Sequence, residues 1–148
     1  MAGMTAYSDE EIAALAARLL DRTLPKAQWT HAAHLTATLR LVRTRDAGLE
    51  RDLPGIIRAY NEAVGGVNDD TSGYHETITQ AYLAGIRAFV AGLAPGTSDA
   101  QAATALLATP MGDKAWPLTH WSRGRLFSVE ARRGWVDPDL KPLAHPPV

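Results

Sequence analysis

From Ser8 the chain reads SDEEIAALAARLLD, with Ile12, Leu15, Ala16, Leu19 and Leu20 apolar and charged residues set between them. Recurrence every three or four positions puts the apolar residues on one helical face, and Ser8 followed by Glu11 has capping-box spacing, so a first helix is predicted to about Asp21. A second run carries Leu35, Leu39, Leu41 and Val42 and has two available starts, Pro25 behind Thr23 or His31 behind Thr30. The third, LERDLPGIIRAYNEAVGG, offers Asp52 as a cap, Pro54 in a first turn and Gly65–Gly66 as a stop. Ile78, Tyr82, Ile86, Phe89 and Leu93 form one stripe of a fourth helix, capped by Ser72 or Thr71. The alanine-rich stretch after Ser98 predicts a fifth. THWSRGRLFSVEARRGW predicts a sixth, capped by Thr119 and weakened by Gly124, before a proline-rich, extended tail.

No alternating β pattern, Asn-Gly hairpin signal or internal repeat interrupts this series. Short connections favour antiparallel neighbours, so the expected fold is all-α: a single-domain up-and-down bundle of five or six helices over residues 1–136, with a tail over 137–148. A length of 148 residues suits one core.

If the helices alternate in direction, the second, fourth and sixth begin at the same end. Those starts read THAAH, SGYHE and THWS, which would gather His31, His34, His75 and His120 there together with Trp29, Trp116, Trp121 and the Asn68–Asp69–Asp70 loop. The opposite end receives TRDAGLERD and LAPGTSD, which hold neither histidine nor aromatic residue. A helix N-terminus favours the neutral imidazole, the form that ligates a metal or acts as a base near neutral pH, and it also attracts carboxylate or phosphate.

Composition narrows the chemistry. There is no cysteine, which removes disulfides, thiolate ligands and thiol nucleophiles, so a metal would have to use His, Asp and Glu. A formal net charge of −1 gives no attraction to nucleic acid or an acidic membrane surface. The N-terminal stretch is acidic where a secretory signal is basic, and no segment nears the ~18 apolar residues of a membrane span, so a cytoplasmic protein is expected. The HExxH, GxGxxG, P-loop, GxSxG, EF-hand and paired ExxH patterns are all missing.

Each candidate has a plainer alternative. His31 and His34, three apart, share a face and could chelate one ion, or one is exposed and the other packs on Trp29. His75 lies on the apolar stripe, which favours burial, while Glu76 is either functional or a carboxylate favoured by the helix dipole. His120 is a ligand or a core histidine bonded to a backbone carbonyl. The tryptophans are core anchors or the dry walls of a pocket. RGR…ARR is a solvated face or, through Arg123, an anion anchor.

The motifs W-T-H-x-x-H-L at 29–35, Y-N-E at 60–62, T-S-G-Y-H-E-T at 71–77 and P-L-T-H-W at 117–121 resemble those of a family of small, uncharacterised bacterial proteins. The resemblance runs from about Leu24 to Trp121. It implies a single soluble domain and brings no activity or cofactor with it.

The function expected from these features is a metalloenzyme acting on a small polar or anionic molecule, hydrolytic or oxidative. It would hold one divalent transition metal (Zn, Fe, Ni or Cu) with His31, His34, His75 and His120. His75 and Glu76 are the candidate catalytic residues, and Trp29, Tyr74, Trp121 and Arg123 the candidate substrate contacts. The rivals are a metal-free acid/base enzyme using the same histidines and a non-catalytic binding module. Aromatic surface left exposed would favour a homodimer.

Overall fold

In a computed structural model, residues 6–45 and 47–147 are described; they form seven α-helices and three short 3-10 turns, with no strand among them. The first helix, α1 (Asp9–Asp21), begins as its spacing predicts: Ser8 accepts the Glu11 N–H while the Glu11 carboxylate accepts that of Ser8. α2 (His31–Thr44) takes the later of its two starts, with Thr30 Oγ1 accepting the Ala33 N–H; Pro25 leads only into a 3-10 turn at Lys26–Gln28.

α3 (Leu49–Ala63) starts before the expected Asp52 cap, with Gly48 as its N-cap at φ 77°. Pro54 is therefore in the second turn, where its missing N–H deprives the Glu50 carbonyl of its helical donor. A side chain from the next helix replaces that donor: Gln80 Nε2 bonds Glu50 O at 3.1 Å.

α4 (Glu76–Ala91) is capped by His75, whose ring accepts the Ile78 N–H at 3.2 Å. The expected caps Thr71 and Ser72 serve the preceding loop, where both donate their N–H to Asp69. Gly73, at φ 80°, turns the chain into the helix, and a side chain there would run into the Val67 carbonyl. α5 (Asp99–Leu107) has the capping box of Ser98 and Gln101.

The sixth helix does not form as one piece. The segment instead breaks into a 3-10 turn at Trp116–Thr119, α6 (Arg123–Leu126) and α7 (Val129–Arg133). Ser122 and Ser128 cause the breaks, because each adopts extended backbone and accepts an N–H three residues on, from Arg125 and Ala131.

Alternation holds for the first five helices. Arg40 and Arg43 near the end of α2 both pair with Asp99 at the start of α5, while His31 at the start of α2 meets Met111 just past the end of α5. α3 runs against α4, with Glu50 beside Arg87 and Arg58 over the Tyr74 ring, while α1 runs with α5, the Ala100 N–H meeting Asp9, and with α3, Tyr60 meeting Leu24 O, so α2 and α4 share a direction. The core they enclose is aliphatic, with Ile12, Leu19, Leu35, Leu39, Leu53, Leu83, Ile86 and Leu106 buried.

A second, smaller cluster of Ala81, Trp121, Leu126 and Leu143 lies under the chain end. There the expected extended tail is stitched down: Asp139 accepts from the Ser122 N–H and hydroxyl, Trp121 Nε1 donates to Val136 O, and the Leu140 N–H donates to His120 O. No helix among the described residues is long and apolar enough to cross a membrane.

Candidate functional site

On α4, Glu76, Gln80, Ala84 and Arg87 recur at four, four and three residues, which sets them in one stripe opposite the apolar face of Ile78, Tyr82 and Ile86. All four line a cavity of about 790 Å³ that also takes Glu50 from α3, Trp135 beyond α7, and Pro146 and Pro147 of the tail. A volume of several hundred cubic ångströms with a few polar groups is what a small-molecule site requires.

The polar groups of this wall are oriented by specific partners. Tyr74 donates its hydroxyl to Glu76 Oε1 at 2.5 Å, and Gln80 Nε2 lies 3.3 Å from Glu76 Oε2. Tyr74 is buried, and burial together with the adjacent carboxylate pushes its pKa well up, so it stays a hydroxyl donor. Glu50 pairs with Arg87 through both oxygens, and the hydrogen bonds from the guanidinium hold its carboxyl below the usual range. Gln80 touches both carboxylate residues because Pro54 leaves the Glu50 carbonyl open.

Trp135 is set in place by a buried hydroxyl. Thr77 Oγ1 donates to Gly134 O at 2.9 Å and accepts the Val136 N–H at 3.2 Å, bracketing the tryptophan. The Trp135 N–H donates to Asp137 Oδ1, so the indole offers the cavity carbon and π surface. Thr77→Val keeps the shape and removes both bonds. It is expected to cost about 1–2 kcal/mol in urea unfolding and to shift Trp135 fluorescence, since a backbone N–H is left unpaired.

The histidines go elsewhere. His75 Nδ1 accepts the Ile78 N–H and Nε2 donates to Leu126 O at 2.6 Å, so both ring nitrogens are engaged in joining α4 to α6. Burial pushes its pKa down. His31 Nε2 donates to Met111 O at 2.9 Å. His34 packs on Trp29 with centroids 4.9 Å apart, and its pKa is pushed down to about 4 by burial and then by the neighbouring His31. His120 donates Nδ1–H to Lys141 O at 3.0 Å.

Among the described residues no group of three or more His, Asp or Glu side chains is placed to hold a metal ion. The structure therefore does not bring His31, His34, His75 and His120 together as the shared ligand set expected from sequence. The offset is geometric. His31 lies against Tyr82, seven residues past His75, which at 1.5 Å per residue separates the two levels by about 10 Å along α4. The third helix start dissolves into the breaks at Ser122 and Ser128, and His120 precedes α6 instead of opening a helix.

What joins the rings is a series of tilted and edge-on contacts. His31, Tyr82, Trp116, His120, Trp121 and Trp135 follow one another at centroid separations of 5.4, 4.9, 5.2, 6.2 and 5.6 Å. Beside it, Met111, Trp116, His120 and the tail residues 141–145 line a second cavity of about 340 Å³. Of the expected substrate contacts, Tyr74 orients Glu76, Trp121 is fully buried behind Trp135, and Trp29 packs between His34 and Tyr60. Arg123 is exposed, with its guanidinium 5.9 Å from the Phe127 ring centre.

Sequence reading passed over Glu50, Gln80 and Arg87, and took Trp135 with the other tryptophans as a core anchor or a pocket wall. Gln80 and Arg87 carry a signal, being polar residues in helical register with Glu76 on a largely apolar helix. Glu50 carries none, because another helix brings it in, and nothing in the sequence tied Trp135 to this particular cavity. Comparison with protein-family models, curated proteins and solved structures finds no match for the chain.

Proposed function

We propose that the protein binds a small polar organic molecule in the cavity beside the first half of α4, with Glu76 as the group that engages it. One observation carries this reading: the largest of the described cavities has on its wall a carboxylate whose two oxygens are each oriented by a neutral donor, Tyr74 and Gln80. Four lone-pair directions serve an ionised carboxylate, and two are taken, so acceptor capacity remains for a ligand. A carboxylate held this way is also suited to act as a general base on a bound molecule, which makes proton transfer the chemistry this site favours. The arrangement needs no metal.

The test is a thermal-shift screen of small polar compounds on the wild-type protein, Glu76→Gln and Ala84→Trp. Glu76→Gln removes the charge, while Ala84→Trp fills the cavity without touching the Tyr74–Glu76 bond. A ligand at a hundred times its Kd stabilises the wild type by about 2.7 kcal/mol, a Tm rise of several degrees, and both variants are expected to lose that rise. Compounds that stabilise all three proteins equally place the binding site elsewhere.

A further inference from the structure

The charges around this cavity select among ligands. Glu50, Glu76 and Arg87 are the charged groups among its described lining residues. Glu50 and Arg87 pair with each other through both carboxylate oxygens. Glu76 meets only the neutral Tyr74 hydroxyl and the Gln80 amide, so among the described residues no cation pairs with its negative charge. It sits in the first turn of α4.

The other wall is Trp135. Its N–H is occupied by Asp137, which also places a further carboxylate beside the indole, and the ring stands edge-on to Trp121 at 86°. A partly desolvated carboxylate and an aromatic surface sharing one cavity is the combination that recognises a positively charged organic group, by charge-assisted hydrogen bonds on one side and cation–π attraction on the other.

Resting on the reading of this cavity as a ligand site, we infer that its ligand carries an ammonium group, seated between Glu76 and Trp135. The net negative lining disfavours carboxylate and phosphate, and so reverses the anionic preference that helix N-termini and Arg123 suggest from sequence. Gln80 and Tyr74 act here as positioning residues, holding the carboxylate toward the cavity.

Three probes that share a benzyl framework and differ in charge test this at neutral pH: benzylamine as its ammonium, benzyl alcohol and benzoate. The readout is the Trp135 indole N–H resonance in an isotope-labelled full-length chain. Benzylamine is expected to shift it saturably, with the alcohol and benzoate at least tenfold weaker, and Glu76→Gln is expected to bring the amine down to the level of the alcohol. The same resonance in Glu76→Gln without probe reports that the fold is intact. Benzoate or benzyl alcohol moving Trp135 as strongly as the amine overturns the ammonium preference and leaves the cavity as the site. A Trp135 resonance unmoved by all three overturns both.

Discussion

Replacing His75 by alanine is expected to destabilise the protein by about 2–4 kcal/mol while leaving ligand binding at the α4 cavity intact in the folded fraction. Two losses add. The first is the cap: His75 Nδ1 accepts the Ile78 N–H, and removing a side-chain cap costs about 1 kcal/mol. The second is the bond from Nε2 to Leu126 O, which ties α4 to α6; without it a buried carbonyl is left unpaired, at about 1–3 kcal/mol. Asparagine separates the terms, because it caps a helix well but is too short to reach Leu126. His75→Asn is expected to recover about 1 kcal/mol relative to alanine in urea unfolding. Unchanged stability in His75→Ala, coupled to lost ligand binding, would restore a functional role for this imidazole.

Lowering the pH from 6.5 to 5 is expected to remove about 2 kcal/mol of stability through His34. In the unfolded chain this imidazole takes up a proton near 6.5, whereas in the fold burial and His31 delay that to about 4. Between those values the unfolded state binds more protons, so stability is complete above the unfolded pKa and is lost as pH falls through the folded one. His75, also pushed down by burial, acts in the same direction. Glu50, Asp69, Asp70 and Asp139 are pushed below ordinary values of 4.5 or 3.8, so their contribution is lost at lower pH and leaves this window to the histidines. The measurement is urea unfolding at pH 6.5 and 5. His34→Leu is expected to flatten the difference; a slope unchanged by that substitution would assign the acid sensitivity to another group.

His31 and His75 show why the sequence reading set the histidines closer together than the structure places them. The first-turn position of His31 was correctly read, His75 proved to be the cap of α4 and not a first-turn residue, and the direction of α2 and α4 follows from the short connections. Parity, however, fixes direction and not height. α2 begins level with Tyr82, so the shared end is a slope along which the histidines are spread. Histidine also falls outside the usual set of capping residues, so Thr71 and Ser72 drew the cap of α4 away from His75.

Pro54 illustrates the same limit. Its missing N–H is a property of the sequence, but which donor would answer the open Glu50 carbonyl was settled only when α4 packed against α3 and presented Gln80. That one contact connects a helix irregularity to the wall of the cavity. Ser122 and Ser128 are the converse case, since both had the cap-forming residue type and were passed over in favour of one longer apolar pattern.

By itself the sequence determined an all-α chain, the starts of α1 and α5 through Ser8 and Ser98, and the alternation of the first five helices, while the start of α2 stayed open between two caps until the structure chose Thr30. These features depend on local hydrogen bonds and on periodicity, which act over a few residues. Tyr74 and Glu76 were within reach for the same reason, lying two residues apart at one helix start. Only the tertiary structure decided that Glu50 and Trp135, distant along the chain, close a cavity around Glu76, and that His75 is consumed in holding α6. Those outcomes depend on the axial offset and packing of helices, quantities that no local pattern of residues encodes.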